Sequence, residues 1–283
     1  MKKSNAKPST GTTVPPTPLK VEINRMALEL ATQRWGEQGT PLVILHGLLG
    51  AGRNWQTIGS QMAEEFQVIA PDLRNHGQSP HSERMTYADL VEDVLALVRK
   101  LERPVHLLGH SLGGKVAMRA ALAEPAAFAS LTVVDMAPVT MAIRLKPVLN
   151  AVCELRIEDK TSRAEVDAEL QTRIADSRTR LFLLSNLARE GKTFRWRPNV
   201  RILRDFLPEL GSFEPPPCAI FERPSLFMRG GNSDYVSEAG IAAIPKWFSQ
   251  ATVHTVEDAG HWVHIDQPIR VVAELRSFLS GTI

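Results

Sequence analysis

The residues best placed to do chemistry lie at Gly109-His110-Ser111-Leu112-Gly113, with Gly114 following. They match G-x-S-x-G, the pattern of a serine nucleophile on a sharp strand-to-helix turn. The context gives the match meaning: the apolar segment VHLLG precedes it and the Ala-rich segment GKVAMRAALA follows. So tight a turn puts the serine in a strained backbone conformation. Side chains two positions away on either side would collide there, and Gly109 and Gly113 leave the room. The strain lifts the hydroxyl clear of the sheet, and the new helix aims its positive N-terminal end at the site. The plainer reading, an ordinary loop whose glycines happen to fit, is weakened by this context.

A second signal, His46-Gly47-Leu48-Leu49-Gly50, directly follows the apolar run LVIL. A loop in that place and the amide after the nucleophile can together hold the oxyanion that develops when a carbonyl is attacked. The donors would be the backbone N–H groups of Leu48 and Leu112, so their side chains need not be polar. His46 reads as a residue that pins this loop. The general base is better sought in Asp258-Ala259-Gly260-His261-Trp262, after an apolar run and before the last helical pattern. His261 there fits the chain order Ser, Asp, His and would take the proton from Ser111 and return it to the leaving group. His264 competes, but the small Ala259-Gly260 pair favours His261 at the turn. His254 falls within a strand, and His76, His81, His106 and His110 have ordinary loop or strand readings.

The acid has two candidates. Asp234, in Gly231-Asn232-Ser233-Asp234, follows the apolar run at 226–228, while Asp135 ends the run at 131–134. Both stand at the C-terminal edge of the expected sheet, and either could reach the imidazole. Each could also be a loop-capping carboxylate. Spacing alone does not choose between them.

These groups need a scaffold, and the apolar pattern supplies one. Short apolar runs recur at 42–45, 68–70, 105–108, 131–134, 226–228 and 252–256, with a further strand or two expected over 25–35 and a turn at 36–39. Helical patterns lie between them at 55–65, 87–101, 113–123 and 269–279, with Thr86 placed to cap the second. Alternation of this kind predicts an α/β fold with a mostly parallel central sheet and helices on both faces. Residues 137–217 break the alternation: they show helical periodicity, at 166–174, 181–190 and 200–210, and no strand-like run. They read as an inserted helical cap over the sheet's C-terminal edge, where ligands bind in open α/β sheets. Within it Phe182, Leu183, Phe194, Trp196 and Phe206 could line a pocket, although most read as cap core. The expected organisation is therefore a disordered tail at 1–20, a core at 21–136 and 218–283, and a cap at 137–217.

Bulk properties exclude other classes. Among 283 residues, 43% are hydrophobic and 23% charged, ordinary for a globular protein. The net charge is +2, and the basic residues crowded from 156 to 204 are interleaved with acidic ones, so a nucleic-acid footprint is absent. The two cysteines, Cys153 and Cys218, form neither a disulfide framework nor a metal-ligand spacing. The first twenty residues are rich in Lys, Ser, Thr and Pro and lack a secretory apolar run. No segment approaches the roughly 20 apolar residues of a membrane span. A cytoplasmic protein is the expectation.

Several segments together carry a family resemblance: HGLLGAGRNW (46–55), DLRNHGQSPHSERMTY (72–87), GHSLGGKVAM (109–118), VVDMAPV (133–139), FLLSNL (182–187), FRWRPNV (194–200), GGNSDYV (230–236) and AGHWVH (259–264). The chain resembles the YbfF-type esterases of bacteria and their animal relatives in the abhydrolase-domain family of α/β hydrolases. The HG and GHSLGG motifs belong to the whole superfamily, whereas RNHGQSPH, the FLLSNL and FRWRPNV pair and GGNS-x-YV are far more particular. The resemblance implies the α/β-hydrolase fold with a helical cap, and a catalytic triad of Ser111, Asp135 and His261. In that subfamily the position matching Asp135 is Asp, and the one matching Asp234 is often not acidic. This chain has Asp at both, which keeps Asp234 as the alternative acid. The resemblance further implies hydrolysis of a small-molecule carboxylic ester with a short or medium acyl chain, or of an acyl-CoA thioester, through an acyl-enzyme. No metal or organic cofactor is implied, and the loop at 72–77 would support the site without reacting. Carbon–carbon bond hydrolysis or perhydrolysis by the same residues, and ligand binding without turnover, are the rival readings. An aspartate nucleophile is disfavoured because residue 111 is Ser.

Overall fold

The computed structural model describes residues 27–282, so the tail expected at 1–20 lies outside the described residues. Among the described residues nine strands occur in chain order: β1 (Thr32–Trp35), β2 (Thr40–Leu45), β3 (Phe66–Pro71), β4 (Val105–His110), β5 (Phe128–Val134), β6 (Leu187–Glu190), β7 (Thr193–Trp196), β8 (Ser225–Gly230) and β9 (Ala251–Val256). Seven of them form one sheet in the order β1-β3-β2-β4-β5-β8-β9. Only β1 runs antiparallel to its neighbour; the other pairings are parallel. Each of the six apolar runs expected to be a strand is one, the last of them, β9, at the sheet's edge.

Burial on both faces explains why β2, β3, β4, β5 and β8 are mostly apolar instead of alternating. In β2, Val43 and Leu45 join one core with residues of α2 (Tyr87–Arg99) and α3 (Leu112–Ala123). Leu42 and Ile44 point the other way, into a second core shared with α1 (Gln56–Met62) and the last helix (Pro268–Ser280). Fully burying one such side chain contributes about 1.5–3 kcal/mol. Helix α2 starts where its sequence says it should. The Thr86 side chain accepts from the Asp89 amide at 3.1 Å, and Asp89 accepts in return from the Thr86 amide at 3.2 Å.

Between β5 and β8 the chain forms α4 (Lys146–Glu154), α5 (Arg163–Gln171), α6 (Ser177–Ser185), α7 (Val200–Asp205) and α8 (Leu207–Leu210), together with an antiparallel hairpin of β6 and β7. The hairpin corrects the expectation of a segment without strands. Leu187-Ala188-Arg189-Glu190 consists of good helix formers, which prolonged the apparent period of α6 by a turn. The signal that identifies the hairpin lies opposite: in Thr193-Phe194-Arg195-Trp196, Phe194 and Trp196 are buried and Arg195 is exposed. Gly191, at φ +59°, supplies the turn between the strands. The helix expected over 200–210 is two short helices, divided at Phe206 just before Pro208.

The subfamily-like motifs are where this segment grips the sheet. Asn186 Nδ2 donates to the Leu49 carbonyl at 2.7 Å, and the Asn199 amide donates to the Asn75 carbonyl at 2.9 Å. From the sheet side, Lys115 of α3 is buried and donates to the carbonyls of Leu210, Gly211 and Ser212. Burial lowers this amine to about 8. After β8 come α9 (Glu238–Ala243), α10 (Val263–Asp266) and α11 (Pro268–Ser280). No helix among the described residues is long and apolar enough to cross a membrane. Cys153 and Cys218 are both free thiols.

Candidate active site

Strand β4 ends at His110 and α3 begins at Leu112, so Ser111 alone makes the turn. Its backbone sits at φ 53° and ψ −116°, a strained conformation for a residue with a side chain. Room for it comes from the flanking glycines. A Cβ at Gly109 would fall on the carbonyl of Gly113, and one at Gly113 on the carbonyl of Leu45.

Facing Ser111 across the sheet edge is His261, whose Nε2 lies 3.0 Å from Ser111 Oγ. Its Nδ1 lies 2.7 Å from Asp135 Oδ2. The carboxylate can only accept, so Nδ1 carries the proton and Nε2 is free to accept from the serine hydroxyl. Asp135 has no exposure and follows β5 directly, at φ 48°. Its Oδ1 also accepts from the Gly230 amide at 3.0 Å, and its Oδ2 from the Ser233 hydroxyl. Three donors from two loops thus fix the carboxylate. Ser233 is a polar group that the sequence reading did not single out; its GGNS motif was the available signal.

Asp234, the alternative acid, stands elsewhere. Its side chain is 76% exposed and pairs with Arg144, whose guanidinium holds the carboxyl below the usual range. It makes no hydrogen bond to His261 among the described residues. The aromatic ring next to it is the one that reaches the imidazole: Tyr235 stacks on His261 with centroids 3.6 Å apart and 14° between planes.

The other histidines divide as expected. His46 Nε2 accepts from the Leu73 amide at 2.9 Å, which leaves Nδ1 to donate to the Gly47 carbonyl at 2.8 Å. Burial lowers this imidazole to about 4, so it stays neutral while pinning the loop. His264 is buried against Trp55, with ring centroids 4.1 Å apart, and burial lowers it to about 3. His254 pairs with Glu274 on the surface of β9. In the 72–77 loop, Asp72 accepts from the amides of Gly52 and Gln78, and Arg74 makes a two-pronged pair with Asp93.

The amides of Leu48 and Leu112 donate to no other group among the described residues, and both residues border cavities that meet at Ser111. One cavity, of about 110 Å³, runs from Ser111 and His261 toward Phe182 and Trp262. The other, of about 30 Å³, lies between Leu112, Met136 and Leu145, with Arg144 at its margin. Of the five side chains weighed as pocket lining, Phe182 and Leu183 border the larger cavity. Phe194, Trp196 and Phe206 are core.

Residues 42–275 match the alpha/beta hydrolase family. The sn-1-specific diacylglycerol lipase ABHD11 of Xenopus laevis is 37% identical over 81% of this chain and 76% of its own length. Esterase YbfF of Escherichia coli is 29% identical over 90% of this chain and 99% of its own. Among solved structures, a marine microorganism esterase superposes with a TM-score of 0.87 at 33% identity, covering 89% of this chain and all of that one. With a mostly parallel sheet, a serine on the turn after β4 and a match over most of its length, the chain belongs to the alpha/beta hydrolase family.

Proposed function

We propose that this protein is a serine hydrolase of carboxylic esters that works through an acyl-enzyme. One observation carries the reading: the hydrogen-bonded line from Ser111 Oγ through His261 to Asp135, ending at an apolar cavity. Esterase and lipase names among the relatives support it.

In this account His261 Nε2 takes the hydroxyl proton as Ser111 Oγ attacks the ester carbonyl. Asp135 keeps the imidazole in the required tautomer and stabilises the imidazolium that forms. The amides of Leu48 and Leu112 receive the oxyanion, each worth about 10²–10³ in rate in comparable sites. Collapse of the tetrahedral intermediate expels the alcohol, which leaves with the proton from His261. Water, activated by the same imidazole, then attacks the acyl-serine, releases the acid and restores Ser111.

Residues 137–217 act in this reading as a cap that closes the site. Asp135 is the acid because it is buried and bonded to the imidazole, whereas Asp234 is exposed and committed to Arg144. The substrate is a small ester or thioester with a hydrocarbon acyl group, matched to the apolar lining of the cavity.

Covalent labelling tests the proposal. A fluorophosphonate probe should modify the native protein once, with the adduct mapped by mass spectrometry to Ser111. Labelling at another residue, or labelling that survives Ser111→Ala, would count against it.

A further inference from the structure

Four residues border both the cavity over Ser111 and the outer space between α6 and α10, and so frame the passage from one to the other: Asn54, Phe182, Trp262 and His264. Two are aromatic, with ring centroids 5.5 Å apart. The other two bring an amide and an imidazole to a cavity otherwise walled by side chains such as Leu48, Leu145, Val148 and Leu183.

Both polar groups are held in place. The His264 ring stacks on the buried Trp55 ring with 10° between planes. Its Nδ1 is buried without a hydrogen-bond partner, whereas Nε2 is not buried and bonds to nothing among the described residues. A fold rarely leaves a buried N–H unpaired and more often leaves an acceptor so. The proton therefore sits on Nε2, at the open edge of the ring. Burial keeps this imidazole neutral, so it offers a hydrogen bond and no charge. Asn54 Oδ1 accepts from the Ala51 amide at 2.7 Å, which fixes the side chain and leaves the two Nδ2 donors without a partner among the described residues. Donors held at an apolar cavity cost free energy unless something accepts from them. In binding sites such groups fix a ligand's orientation.

We propose that Asn54 and His264 are specificity-determining residues that donate to a second carbonyl oxygen of the ester, several bonds from the carbonyl attacked by Ser111. The inference rests on the ester-hydrolase reading and adds a polar feature of the substrate. Because both groups donate, the partner is an acceptor; because neither is cationic, a neutral carbonyl satisfies them.

The test compares kcat/KM for p-nitrophenyl heptanoate and its 4-, 5- and 6-oxo derivatives in the wild type, Asn54→Asp and His264→Phe. Asn54→Asp keeps an acceptor for the Ala51 amide and replaces the donors by an oxygen. His264→Phe keeps a ring on Trp55 and removes the N–H. The wild type should prefer one oxo ester over heptanoate about tenfold, mainly through KM, the size of one to two hydrogen bonds. Each variant should remove most of that preference, and Asn54→Asp carries the test alone if His264→Phe does not fold. Acetates of the matching oxoheptanols, set against heptyl acetate, form a second arm. A preference found only there puts the acceptor on the alcohol side and upholds the donor pair. No preference in either arm, or one that survives both variants, would overturn the proposal. Heptanoate turnover that vanishes in Ser111→Ala checks the underlying reading separately. Should no ester be turned over through Ser111, that reading fails and the donor pair fails with it.

Discussion

His110 Nε2 donates to the main-chain carbonyl of His261 at 2.8 Å, so the residue in front of Ser111 holds the backbone of the residue that faces it. The two rings also lie 4.7 Å apart. Burial keeps the His110 imidazole well below its usual pKa, so it is neutral and its Nε2 proton is committed to that carbonyl. The distance from Ser111 to His261 is thereby set within the fold.

His110→Ala should leave this loop free to drift. A misplacement of an ångström costs on the order of 10² in rate, so kcat should fall by about that factor with little change in KM. His110→Gln, whose side-chain amide can reach the same carbonyl, should recover most of the loss. Steady-state kinetics on protein of confirmed thermal stability checks this; full activity in His110→Ala would assign the positioning to other contacts.

The two aspartates should separate cleanly. Asp135→Asn keeps the shape but favours the wrong imidazole tautomer, and kcat should drop by about 10⁴. Asp234→Asn loses an exposed ion pair, worth about 0–1 kcal/mol, and should retain nearly all activity. The reverse pattern would make Asp234 the acid.

Asn186 reaches from the segment after α6 to the Leu49 carbonyl, and Leu49 sits at φ 61°, a conformation rarely adopted by a leucine. Asn186→Ala leaves that buried carbonyl without its donor, a loss of about 1–3 kcal/mol. The loop carrying the Leu48 amide should relax, lowering kcat about tenfold or more while Tm falls by a few degrees. Unchanged kcat with a lower Tm would make the contact structural only.

Acid should destabilise the fold through its buried histidines. Burial lowers His46 to about 4 and His76 and His264 to about 3, against an unfolded value of 6.5. Below 6.5 the unfolded chain takes up protons that the folded chain refuses, so stability is lost as pH falls through that window and is restored as it rises. Each such histidine contributes about 1.4 kcal/mol per pH unit within the window. Thermal melts between about pH 7 and pH 4 should show a steep fall, flattened by one histidine's share in His264→Gln. A flat Tm over that window contradicts the assignment.

How much of this was legible depended on whether the signal was local. The nucleophile turn is mostly local: a side chain at Gly109 would strike Gly113, and although Gly113 is kept small by the carbonyls of Leu45 and His46, both glycines appear as letters around Ser111. His261 was legible from its place after β9. The acid was not, because Asp135 and Asp234 both follow strands, and only the contact of Asp135 Oδ2 with His261 Nδ1 shows which carboxylate meets the imidazole. The hairpin of β6 and β7 was masked by helix-forming residues whose strand conformation is decided by the burial of Phe194 and Trp196. Contacts such as His110 to His261 and Asn186 to Leu49, 151 and 137 positions apart, have no local signature at all.

The most direct test of the central claim is the rate of p-nitrophenyl butyrate hydrolysis by the wild type and by Ser111→Ala, purified in parallel. Robust wild-type turnover falling by about 10⁴ or more in the variant, with the fold intact, is the predicted result. Turnover that is absent from the wild type, or that persists in Ser111→Ala, would contradict it.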